Sequence, residues 1–175
     1  FFIFGLLFGF GFYLSGISWI TNSLTFNEDF KILIPFSLIL IPLFLSLFIA
    51  FIILFIGPYL KFDFGSLIFF SASMAFSEYL RSKILTGFPW NLWAYSTSSF
   101  NEILQIINLI GLYSYNLLVI TFFTLPVIFF FKISSGKKLL ISFIMILILL
   151  SLYIFGNYQI NKNYKLLKNI SNKIS

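Results

Sequence analysis

The residues able to do chemistry gather in one stretch, 76–96. It holds Glu78, an acid embedded in apolar sequence, and Arg81, the only arginine of the chain. Three positions apart on a helix, the two side chains share a face and can pair. A lone carboxylate inside an apolar span is costly, and a guanidinium beside it lowers that cost. The pair either ties down a helix end or lines a polar cavity facing the outer-leaflet headgroups. Thr86-Gly87-Phe88-Pro89-Trp90 then stops the helix: Gly87 permits unusual backbone angles, and Pro89 biases Phe88 toward extended backbone. The run is read as a turn at the membrane–water boundary, followed by Trp93 and Tyr95. Trp and Tyr collect at that depth in any membrane protein. That accounts for Trp93 and Tyr95, but not for a Gly-Phe-Pro-Trp turn next to Glu78 and Arg81.

Two absences bound the chemistry further. With no cysteine, this chain holds no disulfide, no thiolate metal site and no cysteine nucleophile. With no histidine, it lacks the commonest general base and the usual zinc or haem ligands. No residue of this chain is assigned a catalytic or metal-binding role, and no cofactor is expected.

The elements that must position these residues are membrane helices. Apolar residues make up 60% of the 175 and charged ones only 9%. A soluble domain of this size exposes too much surface to hide so much Phe, Ile and Leu, which leaves lipid as the solvent. The apolar runs are continuous and helix-length, whereas barrel strands alternate apolar with polar. The fold class is therefore all-α, a polytopic transmembrane helix bundle over residues 1–160. Its spans are expected at 3–23, 32–57, 64–80, 103–131 and 138–156, with 81–102 as a loop on the outer face. The count of 27 Phe, with abundant Ile, Asn and Lys, looks like an AT-rich coding bias rather than an aromatic binding site. Gly5, Gly9, Gly11 and Gly16 place small residues along the first span, where they let helices approach closely.

Short basic loops stay on the cytoplasmic side. The loop 132–138, with Lys132, Lys137 and Lys138, is the most basic of the short connections, so its side is taken as cytoplasmic. Loop 81–102 and the C-terminal tail then lie outside, although Lys162, Lys165, Lys168 and Lys173 in the tail argue the other way. The chain opens inside an apolar helix, without an initiator Met or a signal peptide, and ends in polar sequence. It reads as a piece of a longer protein, with 161–175 as a linker onward.

The motif Glu-x-x-Arg (Glu78, Arg81), then Thr86-Gly87-Phe88-Pro89-Trp90, then Tyr95, resembles bacterial apolipoprotein N-acyltransferase. Gly9-Phe10-Gly11 through Gly16 to Trp19-Ile20 is similar to the family's Gly-rich helix. Gln105 with Gly111-Leu112-Tyr113-Ser114 is similar to the start of the helix after the loop. Ser114-Tyr115-Asn116 departs from the Gly-x-x-Gly often found there. The resemblance implies about eight membrane helices and an external nitrilase-like domain, missing from these residues, carrying a Glu–Lys–Cys set. It implies an acyl chain passed from a phospholipid, through a cysteine thioester, to the α-amino group of a diacylglyceryl-cysteine lipoprotein in the bacterial inner membrane. The implied partners are that phospholipid donor, the lipoprotein acceptor and membrane lipids, with no nucleic acid. Glu78 is not promoted to the catalytic Glu. Instead, Trp90, Phe88, Pro89, Glu78, Arg81 and Tyr95 are expected to border the lipid-entry cleft, Trp90 foremost. A small-solute transporter subunit and a catalytically empty membrane scaffold are the competing readings. The transporter fits less well, because no internal repeat is visible and the charge pair sits at a helix end.

Overall fold

The structure is a computed structural model. It describes residues 1–61, 63–84, 89 and 91–174, with side chains as far as residue 167. Among the described residues seven α-helices run in order: α1 (Phe2–Ile17), α2 (Ile34–Ile56), α3 (Phe64–Ile84), α4 (Asn101–Leu104), α5 (Ile107–Ile110), α6 (Leu112–Thr124) and α7 (Ser135–Ile174). Short 3-10 turns link several of them, and no strand occurs among the described residues. This is an all-α membrane helix bundle. Among the described residues four segments are long and apolar enough to cross a bilayer: Phe2–Phe26, Glu28–Tyr59, Leu112–Phe130 and Ser135–Leu167. At 21 residues, α3 also has the length to cross, but Ser, Glu, Arg and Lys dilute its apolar character.

The chain divides into two compact units. One comprises Phe1–Lys61 and Ile68–Leu92, the other Phe62–Leu67 and Trp93–Ser175. In the first, α1 and α2 form an antiparallel hairpin whose seam is cut from small residues. A Cβ on Gly5 would come within 2.8 Å of the Ala50 Cα, and one on Gly9 within 2.9 Å of the Ser46 Cβ. Backbones that approach this closely gain dispersion contact, the main attraction left to helices dissolved in lipid. Gly11, by contrast, faces open space. From α3, Ser77 Oγ donates to the Phe48 carbonyl of α2 at 3.2 Å.

In the second unit, the expected helix over 103–131 is divided. Gly111 adopts φ +79, a left-handed conformation that side chains disfavour. It separates α5 from α6, so the long apolar span begins at Leu112. The helix expected to end at 156 instead runs 40 residues to Ile174, through the stretch 161–175 read as a linker. Gly156 does not end it, because the missing side chain serves packing. A Cβ there would overlap the Glu102 carbonyl oxygen, so its absence seats α4 directly on α7. Leu67, Ile128 and Phe131 form a buried cluster in this unit.

Candidate functional site

In the first unit two of the three charged side chains of α3 are almost entirely removed from solvent: Glu78 and Arg81 are each 1% exposed, while Lys83 is exposed. Facing them from α1 is Tyr13, which is fully buried. The Arg81 Cζ lies 5.4 Å from the centroid of the Tyr13 ring, within the range of a cation–π contact. The helical spacing that puts Glu78 and Arg81 on one face therefore aims both at the α1 side of the unit. Ser82, one position on, is buried as well and bonds back to the Tyr79 carbonyl at 2.7 Å.

Beyond α3, Asn91 adopts φ +48, the only positive φ at a non-glycine residue among those described. Asn is among the few side chains that tolerate this region. Its amide is seated against Gly16 of α1, where any Cβ would overlap it. The Asn91 Nδ2 is buried without a hydrogen-bond partner. Gly16, expected to serve helix packing in general, thus serves one contact. Pro89 is half-buried in the same unit. Thr86, Gly87, Phe88 and Trp90 lie outside the described residues.

Tyr95 belongs to the second unit and is 44% exposed, on the 3-10 turn Trp93–Thr97. That turn is fastened to α6 at two points. Ala94 N donates to Asn116 Oδ1 at 2.8 Å, and the Thr97 and Tyr115 hydroxyls bond each other at 2.6 Å. Tyr115 and Asn116 are both buried. The residues that depart from the expected Gly-x-x-Gly pattern are therefore the ones that hold this turn. The Trp93 ring packs on Phe123, with centroids 5.7 Å apart.

Glu78 and Arg81, three positions apart on α3, are both buried. Tyr13 and Asn91 carry no signal of their own in the sequence, because each is a single polar residue in apolar or turn sequence, and Tyr115 and Asn116 stand out there only as a departure from Gly-x-x-Gly. The arrangement contains no thiol or imidazole. Among the described residues no group of acids could hold a metal ion. Its chemistry is that of support: buried charge and amide groups fix where α1, α3 and the residues after α3 meet.

The family described as "Apolipoprotein N-acyltransferase N-terminal domain" matches residues 1–125. The apolipoprotein N-acyltransferase of Rickettsia prowazekii is 36% identical over 166 residues, covering 91% of this chain and 32% of the relative. That of Rickettsia typhi is 35% identical over 166 residues, with the same coverage. That of Agrobacterium fabrum is 29% identical over 136 residues, covering 77% of this chain and 26% of the relative. No solved structure matches. The chain spans about a third of the length of the Rickettsia relatives. The family match over residues 1–125 takes in the Gly-rich α1, the buried Glu78–Arg81 face of α3 and the Asn116 clamp, and on that ground the chain belongs to the apolipoprotein N-acyltransferase family.

Proposed function

We propose that this chain is the membrane part of a phospholipid-dependent apolipoprotein N-acyltransferase. In that reading it shapes the cleft through which lipid and lipoprotein reach the active site. The reaction moves an acyl chain from a phospholipid to the α-amino group of an N-terminal diacylglyceryl-cysteine, with a cysteine thioester between the two steps. This chain has no cysteine, so it performs no such transfer alone. The Glu–Lys–Cys set belongs to a nitrilase-like domain outside residues 1–175. The proteins reside in the bacterial inner membrane, with 81–102 and the tail after α7 on the periplasmic face.

The observation that carries the reading is the buried Glu78–Arg81 face, set just before Phe88-Pro89-Trp90. Two charges are held out of solvent near the end of α3, a few positions before that motif in the sequence. In this reading Trp90, with its sequence neighbours Phe88 and Pro89, is the part of the motif that meets the lipid substrate.

The test is acyl transfer in the full-length protein, from phosphatidylethanolamine to a diacylglyceryl lipopeptide. Trp90→Ala should lower transfer while leaving the protein folded in detergent. Unchanged transfer removes Trp90 from the cleft. A coding sequence that stops after residue 175, without a downstream domain holding spaced Glu, Lys and Cys, overturns the enzyme reading.

A further inference from the structure

The second unit encloses an apolar cavity of ≈ 300 Å³, partly open to its surroundings. Phe100 and Ile103 line it, with Leu118 and Phe122 of α6 and Leu149 and Leu152 of α7. How it is built is legible residue by residue. Gly156 admits the Glu102 carbonyl against α7, which brings α4, with its Ile103 and the preceding Phe100, onto the helix. The Thr97–Tyr115 hydroxyl bond and the Ala94–Asn116 bond hold the preceding turn against α6. The gap between these two fastenings is the cavity.

Its depth identifies what fills it. Leu118 and Phe122 fall in the middle of the span Leu112–Phe130, and Leu149 and Leu152 in the middle of Ser135–Leu167. These four lining positions therefore lie at the depth of the bilayer's hydrocarbon, with Thr97 and Phe100 closing the cavity on the side of the 81–102 loop. Its two polar lining side chains, Thr97 and Tyr115, already satisfy one another, so a water inside would lack the partners it needs. The size and apolar lining are those of a ligand site.

We propose that this cavity binds one acyl chain of a membrane phospholipid, held between α6 and α7 under the 93–104 segment. The site requires only that these helices cross the bilayer, and it does not depend on the acyl-transfer reading. The lipid comes from the surrounding bilayer, which presents its hydrocarbon at this depth.

The experiment uses the full chain in nanodiscs of phosphatidylethanolamine and phosphatidylglycerol, doped with a phosphatidylcholine carrying a diazirine partway along one acyl chain. Photolysis and peptide mapping locate the attachment. Labelling at Leu118, Phe122, Leu149 or Leu152 should exceed several-fold that at Leu150 and Ile154, which face outward on α7 and are 52% and 68% exposed. Equal labelling at the two sets, or labelling at the outward set alone, overturns the site. As a second arm, Val119→Phe fills the cavity from a buried lining position, and native mass spectrometry counts the phospholipids kept after detergent stripping. Loss of one retained lipid supports the site. A folded Val119→Phe protein with the same count overturns it. If Val119→Phe does not fold, the labelling of the unaltered chain decides.

Discussion

The guanidinium of Arg81 lies over the ring of Tyr13, 5.4 Å from Cζ to centroid, and so joins α3 to α1 at the point where α3 buries its charges. A cation and an aromatic face are well matched in apolar surroundings, because the attraction strengthens as water leaves. This contact is what α3 gains in return for carrying charge into the bundle.

Removing either charge should therefore be worse than removing both. Arg81→Ala leaves the Glu78 carboxylate buried without its cationic neighbour, and a broken buried charge cluster costs about 3–5 kcal/mol. Glu78→Gln with Arg81→Met keeps the volume and removes both charges, and should recover much of that loss. Thermal unfolding of the chain in a mild detergent, followed by helical circular dichroism, measures both. Equal destabilisation by the single and double variants would count against the coupling.

The α1 glycines should divide by what they face. Gly9→Ala drives a methyl group to within 2.9 Å of the Ser46 side chain, and overpacking of this kind costs about 1–3 kcal/mol. Gly11→Ala meets open space and should gain about 0.5–1 kcal/mol of helix stability. The same unfolding assay reads the two with opposite sign.

Gly16 and Asn91 should be coupled. Gly16→Ala pushes a Cβ into the Asn91 amide and should destabilise by about 1–3 kcal/mol. Asn91→Gly removes that amide and suits the φ of +48. The double variant should therefore lose less than Gly16→Ala does alone, with an interaction energy on the order of 1 kcal/mol. Additive losses would show that the two residues do not share the space.

Asn116→Leu should loosen the turn on α6. The Ala94 amide would lose its buried acceptor, a loss of about 1–3 kcal/mol. Hydrogen exchange should rise first at Ala94 and Ser98, whose amides bond Asn116 Oδ1 and the Tyr95 carbonyl. Exchange at α2 amides should stay unchanged.

Much of this was legible in the sequence because lipid imposes one rule, long apolar helices, and because Glu78 and Arg81 stand out against it. What escaped had physical reasons. The division at Gly111 does not show in the hydropathy, since the apolar stretch 103–131 runs across it and a positive φ separates α5 from α6. Gly156-Asn157 resembles a helix end, yet Gly156 is used laterally, for the approach of Glu102. Asn91 and Asn116 read as ordinary turn and helix residues until Gly16 and Ala94 are brought beside them. Of the residues expected to border the cleft, Glu78 and Arg81 share one buried cluster. Tyr95 stands in the other unit, because the chain passes from one unit to the next between Leu92 and Trp93.

The polar face of α3 also sets an order of events in synthesis. Ser71, Ser77, Glu78, Arg81 and Ser82 are all buried in the folded chain, and each would be a liability to a solitary helix adrift in hydrocarbon. Tyr13 and the Phe48 carbonyl, which receive that face, lie on the hairpin translated before it. The ribosome thus delivers the receptor surface ahead of the helix that needs it. A chain rearranged so that α3 emerged ahead of α1 and α2 would ask the insertion machinery to release a helix with nowhere to put its charges.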